Sequence, residues 1–305
     1  ILQTTVPSGS STGAITVVNP AGTATGSTFT VLPTPFITSF TPTLGGEGTL
    51  VVVSGAHFES ITGVDMGSGS SPVSVFNRVS SNTLHITVPA DVLSGTIRLS
   101  NFDLYPNYIV STAQFIGCPN FDAVYNLSNG NAPYMGAVGE NIRLEGINFS
   151  APARVFFNGI ESSTVSVLNA TQINAIVPSG ATSGLITVSV SGGTMVTPQS
   201  FNVVGLLQPT ATASISCAGA NFTVAYSVTG IYPSDNVFYI DFMNGGSVVQ
   251  SAVGNRISNT SGVITGQIPT GTMGTYQARV RSFSAEKNYA LVSANSNSIS
   301  VTNLN

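Results

Sequence analysis

Along most of this chain apolar residues alternate with Ser and Thr, as in "LITVSVSG" (185–192), the period-two pattern of strands with one buried face. The longest apolar runs, "TLVVVSGA" and "SFNVVGLL", break within a few residues. They fall far short of the roughly 20 residues needed to cross a bilayer, so the pattern predicts no membrane insertion in this segment. No helical-period stretch exceeds about two turns. Thirty-two Gly and 16 Pro punctuate the strands with turn signals. The pattern predicts an all-β fold.

The chain also repeats itself. "VPSGSSTGAITV" (6–17) returns as "VPADVLSGTIRL" from Val88, as "VPSGATSGLITV" from Val177 and more loosely as "IPTGTMGTYQARV" from Ile268. The spacings of 82, 89 and 91 residues are too long for solenoid units and match whole β-sandwich domains of about 100 residues. A second landmark, Gly-x-x-Phe, precedes two of the copies at Gly55/Phe58 and Gly146/Phe149. The motif itself contains no side chain suited to catalysis. Its Val ends a strand, its Pro cannot donate to a ladder, and Gly13, Gly95 or Gly184 is expected to turn the chain back with positive φ. Strand, stop, turn and strand read together as a hairpin.

These landmarks carry a family resemblance. "PFITSFTPTLGGEGTLVVVSGAHF" followed by "VSSNTLHITVPADVLSGTIRLSN" resembles the IPT/TIG domain, an immunoglobulin-like sandwich. The resemblance implies one such domain at 35–117, a second at 118–205, and at 1–34 the C-terminal part of another, with three strands lacking their first half. The last segment, 206–305, resembles an Ig-like repeat of large secreted and gliding-associated proteins of Bacteroidota. Cys217, Gly219, Phe222, Val224, Tyr226, Gly230, Asn236, Val237, Phe238, Tyr276, Arg279 and Val280 fall on that pattern. This implies an extracellular, cell-surface location and export from a Gram-negative cell by the type IX route. Tandem sandwiches arranged end to end as a rod are expected, with "LPTPF" and "GLLQP" as proline-stiffened linkers.

Composition narrows the function. Only 7% of residues are charged and the net charge is −4, which leaves no electrostatic footprint for a nucleic acid. His57 and His85 are the two histidines, and both read as strand residues. His57 aligns with Asn148 of the other copy, which argues against a catalytic base. Asp65, Glu47 and Glu140 sit near Gly-rich turns, without the run of oxygen ligands that calcium requires. The single lysine, Lys287, limits any self-made isopeptide crosslink to the last domain. No catalytic residue, metal site or cofactor is expected. Cys118 and Cys217 open or follow the first strands of different domains, so they are expected to be unpaired and largely buried thiols.

The irregular places are loops. The connection from the Val-Pro valine to the closing Phe runs 6–29, 177–201 and 88–115, and the longest carries Phe102, Leu104, Tyr105 and Tyr108. A second enlarged segment, "YNLSNGNAPYMG", holds Tyr125 and Tyr134, lies close to a domain junction in sequence and is expected to serve interdomain packing that stiffens the array, with binding of a glycan or a neighbouring subunit as the alternative. Loops on rigid sandwiches are where binding concentrates. The favoured reading is a non-catalytic structural segment of a large extracellular adhesin, filament or surface-layer protein, partnered by neighbouring domains or subunits. The alternative is a surface glycan-binding protein, or an accessory region of a secreted polysaccharide-degrading enzyme. The absence of Trp weighs against glycans, since these favour aromatic platforms.

Overall fold

The computed structural model describes residues 1–68, 71–73, 75–101, 108–129, 133–212, 215–253 and 261–302. They form two compact units, Ile1–Gly117 and Cys118–Asn305. The architecture is all-β with three separate sandwich cores, one in the first unit and two in the second.

In the first unit one sheet runs Phe36–Thr41, Leu50–Ala56, Thr83–Thr87, Phe76–Ser80, in that spatial order. The facing sheet includes Leu44–Gly45, Ile109–Gly117, Gly95–Ser100 and Gly63–Met66. Alternate residues turn inward, so Val51, Val53, Leu84, Ile86, Ile97, Leu99 and Phe115 are sealed from water. The second sandwich repeats this plan. Asn120–Asn126, Asn141–Ile147, Gln172–Ile176 and Val165–Asn169 face Ile160–Glu161, Arg154–Phe157, Ile186–Val190 and Gly193–Val196. The third packs Thr210–Ala211, Asn221–Tyr226 and Gly262–Gln267 against a larger sheet. That sheet is built on Gly274–Ser284, with Val237–Asn244, Ser247–Val253, Tyr289–Val292 and Ile299–Thr302 among its members.

The repeated Val-Pro motif is a corner between sheets and not the expected hairpin. Thr83–Thr87 and Gly95–Ser100, which flank it, belong to opposite sheets, as do Gln172–Ile176 and Ile186–Val190. The valine closes one last reciprocal pair of backbone bonds before proline stops the ladder. Gly48 N donates to Val88 O and Val88 N to Thr49 O, both at 2.9 Å. The same pair recurs at Val177 with Gly139 and Glu140, and at Ile268 with Gly219 and Ala220. Positive φ falls three residues after the Val or Ile, at Gly9, Gly180 and Gly271 and, without glycine, at Asp91 (φ 53°). Gly13, Gly95 and Gly184 do not use it. What matters at the last two is room: a Cβ on Gly95 would stand 2.3 Å from Ser68 N, and one on Gly184 2.3 Å from Asn158 Cγ.

Gly-x-x-Phe is a packing device of the same kind. A Cβ at Gly55 or Gly146 would lie 2.0 Å from the carbonyl oxygen of Phe36 or Asn120, and within 2.8 Å of its own motif's Phe ring. His57 and Asn148, between the two, share a left-handed backbone (φ 60° and 59°). His57 thus follows the strand and does not lie in it. Asn148 Nδ2 donates to Cys118 O at 2.9 Å.

Three further expectations change. Residues 1–34 hold two strands, Gly13–Asn19 and Gly22–Phe29, where three were expected, and residues 1–30 are exposed throughout. "GLLQP" is no linker, because Gly205–Leu206 pairs with Val228–Thr229. The thiols of Cys118 and Cys217 are unpaired but half-buried, where largely buried thiols were expected.

Candidate functional site

Two sandwiches within the unit Cys118–Asn305 meet at a joint built from side-chain amides, a carboxylate and two tyrosines. Asn129 clasps the peptide groups of Ala290, donating Nδ2–H to its carbonyl oxygen and accepting its N–H at Oδ1, 3.1 Å. Asn202 does the same to Ile231, whose N–H reaches Oδ1 at 3.2 Å. Each asparagine thereby imitates one rung of a β-ladder and occupies backbone groups that would otherwise need water.

Glu140 organises the space between these clasps. One oxygen accepts from Asn126 Nδ2 (2.6 Å), Ala137 N (2.8 Å) and the Tyr289 hydroxyl (3.1 Å), and the other from Asn129 Nδ2 (3.3 Å). Tyr289 belongs to the third sandwich and Glu140 to the second, so the carboxylate is shared across the joint. Burial pushes the Tyr289 phenol far above its ordinary range, and the Glu140 charge adds to this. Tyr232 is raised too, mainly by burial, and donates to Gly205 O at 3.0 Å. Both phenols are therefore permanent donors.

Packing reinforces the bonds. Met135 lies in the second sandwich's sequence but is buried (5% exposed) in the third sandwich's core with Val204. Gly230 lets the chain pass closely here, since a Cβ on it would sit 2.1 Å from Val203 O. Tyr134 adopts φ 52°, and its carbonyl accepts from Asn202 N at 2.8 Å.

The sequence-derived candidates fall into separate places. Tyr108 is exposed in the first unit, with the Arg98 guanidinium 5.9 Å from its ring centre and Asp65 opposite Arg98 on the next strand. Phe102, Leu104 and Tyr105 lie outside the described residues. Tyr125 and Tyr134 flank the joint, and of the two only the Tyr134 backbone carbonyl, which accepts from Asn202 N, takes part in its bonds. Arg143 stands 5.7 Å from the Tyr125 ring, and Tyr134 packs on the second core. Their segment, which also holds Asn129 and Met135, lies at the end of its sandwich that meets the next one, because the seven-residue strand Asn120–Asn126 carries the chain about 23 Å along the sandwich before the segment begins. Asn129, Asn202, Tyr232 and Tyr289 were not anticipated. A signal for part of this exists in the repeat itself, because Glu140 and Asn202 stand where the first sandwich has Thr49 and Ile116.

Among the described residues no group of His, Cys, Asp and Glu is placed to hold a metal ion, and no helix is long and apolar enough to cross a membrane. A model of the IPT/TIG domain matches residues 35–102, the greater part of the first sandwich. No curated protein matches the chain in sequence. Similar solved structures include a protein crystallised with a xylogluco-oligosaccharide, at 18% identity and TM-score 0.36, over 85% of this chain and 59% of that one. This chain therefore spans about three-fifths of that protein. A surface glycan-binding protein of Prevotella bryantii is similar at 12% identity and TM-score 0.33 (78% of this chain, 85% of that one). An SGBP-B from a xyloglucan utilization locus of Bacteroides uniformis is similar at 13% and 0.27 (78% and 86%).

Proposed function

We propose that this chain is a non-catalytic scaffold segment of an extracellular surface protein, whose sandwiches hold a set geometry and do not turn over a substrate. The joint carries this reading. Two asparagine clasps, a shared carboxylate and a methionine exchanged between cores immobilise one sandwich on the next, which a chain of independent binding modules would not need. Membership of an adhesin or filament and export by the type IX route, implied by the resemblance of 206–305, belong to the same proposal. NMR relaxation on the full chain tests it. The two sandwiches of 118–305 are expected to share one rotational correlation time, and Asn129→Ala with Asn202→Ala should split it in two. Separate tumbling in the unaltered chain would sink the proposal.

Glycan capture is the second reading, and the feature that favours it is the exposed Tyr108 ring beside Arg98 and Asp65, an aromatic face flanked by charged hydrogen-bonding groups. Titration with xyloglucan and mixed-linkage glucan oligosaccharides should give binding that Tyr108→Ala abolishes. Heats indistinguishable from dilution would leave the scaffold reading alone.

A further inference from the structure

The third sandwich carries a cationic face in a chain that is otherwise nearly devoid of cations. Eight Lys and Arg are spread over 305 residues, yet Arg279 and Arg281 stand on one face of a single strand. Their register sets Arg279 opposite Asp241 and Arg281 opposite Tyr239, with Phe283 next along the same face opposite Val237. Asp241 lies on this outer face but is only 1% exposed, because the two guanidiniums cover it. Arg279 Nε donates to Asp241 Oδ2 at 3.0 Å, Arg281 Nε to the same oxygen at 3.3 Å and Arg281 Nη2 to Oδ1 at 3.4 Å. Ser251 donates to Oδ1 at 2.6 Å.

The consequence is orientation. With both Nε groups turned inward onto one buried carboxylate, Arg279 keeps its terminal N–H groups, and Arg281 its Nη1, for the solvent side. Their side chains are 27% and 32% exposed. Arg281 is further fixed by the Tyr239 ring, 4.5 Å from its Cζ. Two guanidiniums against one carboxylate leave the face with a net positive charge, opposite in sign to the −4 of the whole chain. A fork of fixed N–H donors is suited to an oxyanion with two oxygens, and the exposed Phe283 ring next along the same face supplies an apolar contact of the kind a sugar ring takes.

We infer that Arg279 and Arg281, held by Asp241 beside Tyr239, form a binding site for an anionic polysaccharide, recognising a carboxylate or sulfate group on the sugar. The site lies in a different unit from Tyr108 and does not depend on the scaffold reading. Charge-assisted contacts at two arginines should make binding strongly salt-sensitive.

The experiment is titration of the full 305-residue chain with oligogalacturonate, with a sulfated oligosaccharide of matched length, and with a neutral cello-oligosaccharide. Binding of an anionic oligomer is expected, without competition from the neutral one. It should weaken about tenfold in Arg281→Gln and in Arg279→Gln, and the anion that binds identifies the oxyanion. Since either substitution thins the cover over Asp241, Arg279→Lys with Arg281→Lys is the companion variant. It keeps the charge, loses the fork, and should also bind more weakly. Binding by neither anionic oligomer, or equal affinity in folded variants, overturns the inference.

Discussion

Tyr289→Phe removes a single hydroxyl from the joint, and its cost depends on what that hydroxyl touches. Tyr289 is 1% exposed and donates to Glu140 Oε2 at 3.1 Å. A hydrogen bond to a charged acceptor contributes about 1.5–3 kcal/mol net, so the substitution should loosen the third sandwich's edge by that amount. In a Glu140→Ala background the same deletion should cost close to nothing, because a buried hydroxyl without its acceptor already carries a desolvation penalty of about 1–3 kcal/mol. The double-mutant cycle therefore predicts a coupling of at least about 1.5 kcal/mol between residues 149 positions apart. Native-state hydrogen exchange across 289–292 reads it locally. Ala290 N–H is bonded to Asn129 across the joint and reports its opening, whereas Leu291 N–H, bonded to Ser282 within the third sandwich, reports only fraying of that strand. Equal losses in both backgrounds, with coupling inside the usual additivity error of about 0.3–0.5 kcal/mol, would refute a shared carboxylate.

Gly146→Ala and Gly55→Ala should each destabilise their sandwich by about 3 kcal/mol, the upper end of overpacking costs, since the new methyl meets a backbone carbonyl; urea unfolding measures it. His57→Asn should stabilise the first sandwich, by at most about 1 kcal/mol, because the short asparagine side chain tolerates the left-handed backbone at φ 60° as Asn148 does; a higher thermal midpoint is expected. Burial pushes the Asp241 carboxyl up, but the Ser251 hydroxyl and the two guanidiniums outweigh it and hold it below the ordinary carboxylate range. Its stabilising contribution is complete above the unfolded value of about 4 and is lost as pH falls through the lower native value. Thermal midpoints between pH 6 and 2 should therefore fall less steeply in Asp241→Asn than in the unaltered chain.

How far these features could be read beforehand depends on whether they leave a period or a copy in the sequence. Strand alternation leaves a period, and "LITVSVSG" buries Ile186, Val188 and Val190 in turn. The Val-Pro and Gly-x-x-Phe landmarks leave copies, so their positions were legible. The direction taken by the chain after Val-Pro was not. A hairpin and a corner between sheets both need a proline stop and a glycine, and only the partner of the next strand tells them apart. That partner is Gly63–Met66 and Ile109–Gly117 for Gly95–Ser100, set by long-range pairing.

The joint was hidden for a different reason. Its contacts run from side-chain amides to peptide groups, and a peptide group is the same at every residue, so nothing at Ala290 or Ile231 marks them as targets. What the sequence does carry is a departure from its own repeat. At the turn where the valine or isoleucine before the proline closes its last backbone pair, the three sandwiches have Thr49, Glu140 and Ala220. The backbone bonds there are the same in all three, so the fold does not require a carboxylate. At the neighbouring parallel bridge Ile116 becomes Asn202, and Leu44, 48% exposed, becomes the buried Met135. Three changes of chemistry at positions whose backbone role is constant converge on one end of one sandwich. Subtracting what the repeat needs from what each copy contains therefore locates the joint, and the same subtraction applied to further repeats of this kind should sort clasped junctions from free ones.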